Sequence, residues 1–461
     1  MKKRYLTLTM ATLMLAASLS GCGAGGEETS SDTTANSSVE EKTEATATGE
    51  KTKVHIWTTT YTTDEQKQAF IDAFNQSEAS KNIEVVFCEE PGGTSKEKDD
   101  ALLTNLIGGG EIDIFDSNQV QYYNFASKGM YENLTPYIEA DKYDASPLGE
   151  TAVENSLIND SLYGLPYKQT RWVVYYNKDL FDAAGLPYPS DDWTWDEFRE
   201  TAKALTKGEG ADKQWGFTAP DWTCTWAGIA AQKGVPFVKE DGTSNLDDPA
   251  FREALQFKYD LTMVDKSGPS RAENVATQAN YAKSFSAGNI GMLIAGNWVP
   301  DQIKTTLNGN YTFEYDIAEL PHPEGVQAGT TFGATEYAGI NSKRSEEQKK
   351  AAWEVLKFMA SPENGVVLAK DAGRLPSVYT EEIEKAYLSA LPEFVTNGDV
   401  IFDTYKRMDE KPAHVAGGQI DLVMTEEADM FLTDSQDLDT TMENMYRRSN
   451  EEIQIMNESL E

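Results

Sequence analysis

The groups that could make or break bonds are few in this chain and badly placed for doing so. Its three histidines, His55, His322 and His414, are far apart, and no His-Glu-x-x-His pair occurs to hold zinc. The three cysteines, Cys22, Cys88 and Cys224, form no cluster of the kind that binds zinc or iron–sulfur. No Gly-x-Ser-x-Gly elbow and no phosphate loop is present. Residues Gly21–Gly26 match the dinucleotide fingerprint letter for letter, but an apolar leader precedes them and a polar tract follows, so the strand–helix context is missing. The 76 acidic residues guarantee adjacent carboxylates such as Asp191 and Asp192. Cleaving a glycosidic bond needs two carboxyls facing across it, and nothing singles out such a pair. What the chain does have in quantity is aromatic rings, nine of them tryptophan. Such rings desolvate at low cost and hold their shape, which suits non-covalent capture. No catalysis, cofactor or metal is expected.

Rings and polar groups must be held by a scaffold. Lys53–Trp57, Ile83–Phe87 and Ile112–Asp116 read as strands, with helices over Asp64–Phe74 and Lys96–Ile107 between them. That alternation predicts a parallel α/β lobe, whose ligands sit beyond the carboxyl ends of its strands. Trp57-Thr58 and Asp116-Ser117 lie at two such ends. Asn118–Gly129 and Leu134–Ala140 read as helices. Tyr163-Gly164-Leu165-Pro166-Tyr167 then leads to the apolar run Trp172–Tyr176, a buried strand. A short helix over Asn177–Ala184 closes at Gly185, and Thr194 with Glu197 forms a capping box for the next helix. Further strands are expected at Gln214–Phe217, Met292–Ala295 and Tyr315–Ala318, and further helices at Pro249–Met263 and Glu346–Met359. Thr380–Glu461 reads as helices and carries no usable motif.

This order resembles the extracellular solute-binding proteins of ABC transporters, family 1, the sugar-binding lipoproteins similar to maltose-binding protein. The resemblance is carried by three segments: Tyr163–Tyr176; Phe285-Ser286-Ala287-Gly288-Asn289-Ile290-Gly291-Met292 with Gly296-Asn297-Trp298; and Thr335–Asn341 with Gly373–Ser377. It implies an α/β fold of the type II periplasmic-binding-protein class, two α/β lobes joined by a multi-strand hinge with a ligand cleft between them. The lobes are expected to divide as 53–168 and 340–375 against 169–339 and 376–461. In this arrangement Cys88 and Cys224 lie in different lobes and are expected to stay unpaired. The implied function is capture of a sugar or oligosaccharide by hinge closure and its delivery to the permease subunits of an ABC importer. The alternatives are the same fold holding a carboxylate, peptide or metal, and a surface glycoside-active enzyme.

The front of the chain fits that reading. Lys2, Lys3 and Arg4 precede an apolar run, Leu6–Leu19, too short to span a bilayer, so 1–21 reads as a signal peptide. Leu19-Ser20-Gly21-Cys22 resembles a bacterial lipobox, which implies lipidation at Cys22 and an anchor on the extracellular face of the membrane. Residues 22–52 lack aromatic residues and read as a tether. A formal net charge of −36 repels nucleic acid and anionic lipid. A monomer is expected.

A sugar offers C–H faces to aromatic planes and a rim of hydroxyls to polar side chains. On that logic and the resemblance, Trp298, Trp57, Trp222 and Trp226 are the candidate ring contacts. Thr58, Asp116, Asn118, Tyr167, Arg171, Asn297, Glu336, Tyr337 and Arg374 are the candidate rim. Trp195, Trp215 and Trp353 read as core, and Trp172 and Trp193 could serve either way.

Overall fold

A computed structural model describes residues 50–89, 95–371 and 373–460. The signal peptide, Cys22 and most of the tether lie outside the described residues. In chain order the strands are β1 Thr52–Trp57, β2 Ile83–Phe87, β3 Ile114–Ser117, β4 Leu157–Ile158, β5 Ser161–Leu162, β6 Leu165–Gln169, β7 Trp172–Asn177, β8 Trp215–Thr218, β9 Ile290–Gly296, β10 Tyr315–Glu319, β11 Thr330–Gly333, β12 Thr335–Ile340, β13 Leu375–Pro376 and β14 Lys406–Asp409. Six of them form one sheet in the order β13-β6-β12-β3-β1-β2, and four form a second in the order β10-β7-β9-β8.

The parallel unit expected at the front is present. β1 pairs in parallel with both β2 and β3, and helices Asp64–Phe74 and Ser95–Gly108 make the crossovers. Val54, Ile56, Ile114 and Phe115 are buried, as strands covered on both faces require. β12 then runs antiparallel to both β3 and β6, so the sheet is mixed.

The chain passes between these two sheets twice. β6 belongs to the first and β7 to the second, so Thr170 and Arg171 make the first passage. β12 lies in the six-stranded sheet from its first residue, Thr335, so the chain has returned by Ala334. β13 pairs with β6 at the edge of the six-stranded sheet.

Local signals shape the ends of these elements. Thr194 and Glu197 form the expected capping box at the helix Trp195–Leu205. Gly185 closes Lys178–Ala184 at φ 65°, where a side chain would be strained. The helix from Pro249 stops being α-helical at Tyr259 and winds its last turn, Asp260–Val264, as a π-helix. The C-terminal region departs most from expectation, because it contains a strand. β14 pairs in parallel with β11. Both Cys88 and Cys224 are free thiols, the second fully buried.

Candidate ligand-binding site

One wall of the candidate site is built on the carboxyl ends of β1 and β3. The register sets Trp57 beside Phe115, so Thr58 and Asp116 follow side by side, with Asp116 still paired to Ala338 of β12. The Asp116 carboxylate collects three hydroxyls on one oxygen. Thr58 Oγ1 donates to Oδ2 at 2.6 Å, Tyr167 OH at 2.6 Å and Thr60 Oγ1 at 3.1 Å. Among the described residues no donor reaches Oδ1. Tyr167 is fully buried, and burial together with the Asp116 charge pushes its phenol well above the ordinary range. Thr58 and Tyr167 therefore orient Asp116, and a cavity of about 280 Å³ opens beside it. Trp57, Asn118, Gln121 and Glu336 also line this cavity. Asn118 caps the helix Gln119–Ser127, with Oδ1 accepting from the Gln121 backbone at 3.0 Å. Glu336 is held by Lys168 at 2.6 Å.

The second wall is aromatic and stands on β7 and β9. Trp172, at the start of β7, is fully buried. The rings of Trp222 and Trp298 meet it edge to face, at 83° and 89°, with centroids 6.0 and 5.7 Å away. Their own planes lie 35° apart at 6.0 Å. Trp298 Nε1 donates to Tyr281 OH at 3.0 Å, and the Tyr281 ring packs edge-on against Trp222. Trp222 remains 44% exposed. A second cavity, of about 330 Å³, runs along Trp222 and Tyr281 past Asp221, Asn274 and Asn280. The Gly-x-Trp spacing has a steric cause: a Cβ on Gly296 would fall 1.9 Å from Trp298 Cζ3, so only glycine lets the indole fold back over its own strand.

The structure does not bring all the candidates together. Glu336 and Tyr337 are neighbours on β12, and successive strand residues face opposite ways. Glu336 lines the cavity, while Tyr337 is fully buried and stacked on Tyr122 at 4.1 Å. Trp226 is buried within the helix Cys224–Gln232, every residue of which is buried. Asn297 is buried at the first passage, where its Oδ1 accepts from the Arg171 backbone at 3.1 Å. Arg171 spends its guanidinium on the carbonyls of Ile401 and Phe402, at 2.7 and 3.2 Å. Burial and the neighbouring Arg407 pull its pKa down to about 10. Arg374 is half-buried just ahead of β13, where its backbone N–H donates to Leu368 O.

Sequence reasoning missed the segment from β14 to Lys411. Arg407 Nη2 donates to Thr335 Oγ1 at 2.8 Å, and burial pushes the Asp409 carboxyl up. Glu410 Oε2 accepts from Trp172 Nε1 at 2.6 Å. Pro412 and the Gly417-Gly418 pair were the available signals, since both interrupt a helical reading of this region.

Residues 59–366 match the family model of the bacterial extracellular solute-binding proteins. The chain belongs to that family. Among curated relatives, the sn-glycerol-3-phosphate-binding periplasmic protein of Brucella abortus is 27% identical over 314 residues, 64% of this chain and 68% of the relative. Among solved structures, a sugar transporter from Rhizobium etli in an open conformation is 26% identical, with a TM-score of 0.70 over 86% of this chain and 98% of the other. An ABC substrate-binding protein from Listeria monocytogenes in complex with cycloalternan is 25% identical, with a TM-score of 0.76 over 87% of this chain and 99% of the other. This solute-binding protein therefore has the two-lobe α/β architecture of the type II class. Among its described residues no helix is long and apolar enough to cross a membrane.

Proposed function

We propose that this solute-binding protein captures a sugar or oligosaccharide and delivers it to an ABC importer. The observation that carries the reading is the pairing of two surfaces. The Asp116 carboxylate, oriented by three hydroxyls and with no donor on Oδ1 among the described residues, suits a ligand hydroxyl. The exposed Trp222 and the half-buried Trp298 suit the apolar face of a ring. The Rhizobium relative is described as a sugar transporter and the Listeria one as bound to cycloalternan, which supports the same ligand class.

The lobes meet at Thr170–Arg171 and Ala334, and closure bends these passages. Open and closed forms pre-exist, and a ligand that touches both walls only in the closed form draws the population towards it. The importer reads that closed form, and the protein returns its cargo chemically unchanged. Calorimetric titration with a panel of neutral mono- and oligosaccharides, with glycerol 3-phosphate as a second arm, tests the reading. Heat from a carbohydrate alone is expected. Heat from the phosphate alone, or from neither, overturns it.

The anchor belongs to the same proposal. Cys22, lipidated, tethers a monomer to the extracellular face of the membrane. The Cys22→Ala protein is expected in the medium or periplasm as a single monomeric peak on gel filtration. Tight membrane retention of that variant counts against the lipobox.

A further inference from the structure

We propose that Glu410 is a positioning residue for the ligand cleft: its carboxylate fixes the Trp172 indole on which Trp222 and Trp298 stand, and so sets the shape of the aromatic wall. The inference rests on the carbohydrate reading of that wall.

Glu410 is a costly residue to keep where it is. It is buried, and among the described residues no cation lies within ion-pairing distance of it. Lys411, its neighbour in sequence, turns to Asp421 at 2.9 Å instead. Taking a carboxylate out of water without a counter-charge is strongly unfavourable. Its strongest direct partner is the Trp172 indole N–H at 2.6 Å, with Thr170 Oγ1 at a marginal 3.5 Å. The backbone of Glu410 is pinned as well, because its N–H donates to Gly333 O at 3.0 Å. The carboxylate is thus a fixed acceptor aimed at one ring.

That ring is the floor of the aromatic wall. Trp172 touches Trp222, Trp298 and Phe332, so a rotation of its indole displaces the two rings nearest the cleft. Without an acceptor, the buried indole N–H would be unpaired and the ring would move to find a partner. Glu336, which lines the cavity beside Asp116, also lies close enough for its charge to make the Glu410 carboxyl harder to ionise. The C-terminal segment thereby links the aromatic wall to the acidic one.

Two variants separate positioning from mere support. Glu410→Gln loses the buried charge but keeps an acceptor, whereas Glu410→Leu loses both. The readouts are the near-ultraviolet circular dichroism of the ligand-free protein, the melting temperature, and the affinity for whichever carbohydrate the wild type binds. Glu410→Gln is expected to keep the wild-type spectrum, bind within about threefold of wild type and melt no lower. Glu410→Leu is expected to lose the tryptophan signature and bind roughly tenfold or more weakly at a temperature where it is fully folded. A Leu variant with unchanged spectrum and affinity overturns the proposal. So does a Gln variant that loses both, since the charge and not the hydrogen bond would then be needed. If the wild type binds no carbohydrate, the ligand reading fails, while the ligand-free spectra of the three proteins still decide what Glu410 does.

Discussion

The indole of Trp298 lies over Gly296, two residues behind it in the chain. A methyl group on Gly296 would sit 1.9 Å from Cζ3 and 2.3 Å from Cη2 of that ring. Gly296→Ala must therefore push the indole off the strand and break its bond to Tyr281. Overpacking of this kind costs roughly 1–3 kcal/mol. A lower melting temperature is expected together with loss of most carbohydrate affinity, read by calorimetry. Wild-type affinity in this variant would remove Trp298 from the site.

Trp222 is the converse case. It is 44% exposed, and its buried part packs edge-on against Trp172 and Tyr281. Trp222→Ala should therefore cost about 0.5–1.5 kcal/mol of stability, the size of an aromatic contact. Affinity should fall by about tenfold or more, because aromatic contacts concentrate binding energy. A melt and a titration on the same preparation check both halves. Unchanged affinity beside a lowered melting temperature would mean that the ring supports the fold instead.

Asp116 serves structure and binding at once. Three hydroxyls donate to its Oδ2, and hydrogen bonds to a charged acceptor contribute about 1.5–3 kcal/mol each. Asp116→Ala takes the acceptor from all three, leaving Thr60 and Tyr167 only each other at 2.7 Å, and should be the least stable variant. Asp116→Asn keeps an oxygen and should be intermediate. Tyr167→Phe removes a single donor and should be mildest, at about 1.5–3 kcal/mol by urea unfolding. Asp116→Asn should also weaken carbohydrate binding more than Tyr167→Phe, since only the first alters the group facing the cavity. An inverted order would refute this account.

Glu319 predicts a pH dependence unrelated to ligand. Burial, with Asp191 next in effect, raises its carboxyl from 4.5 to about 7; the Gly329 backbone and His322 oppose the shift and Asp403 adds to it. A carboxyl whose folded pKa exceeds its unfolded value takes up protons on folding. Its stabilising contribution is complete below about pH 4.5 and is lost as pH rises through 7. The group is partly open to solvent, so the effect is screened to on the order of 1 kcal/mol. Wild type should melt lower at pH 8 than at pH 5.5 by more than Glu319→Gln does. Parallel melting curves for the two proteins would contradict the assignment.

Elements with strong local signals were legible in the sequence. Asp64–Phe74 and Glu346–Met359 fold over the residues that periodicity indicated, and Thr194 with Glu197 caps its helix as spacing suggested. β14 was not legible. Lys406-Arg407-Met408-Asp409 has neither β-branched residues nor an apolar face, and it becomes a strand only because β11 offers an edge more than 70 residues earlier in the chain. The site divides the same way. Trp57, Asp116, Asn118 and Glu336 share one cavity because strand ends and a helix cap place them there. Tyr337 turned inward because successive residues of a strand face opposite sides, and Trp226 because its whole helix is buried.

The sequence by itself determined the order of strands and helices, the spacing Gly296-x-Trp298, and the family to which that order belongs, because these depend on residue types a few positions apart. Tertiary structure alone decided which rings are open to a ligand and which are floor, and that Glu410 reaches Trp172 from 238 positions away. The reason is physical. Exposure and a buried charge's partner depend on how distant surfaces pack, and no local pattern of side chains encodes that.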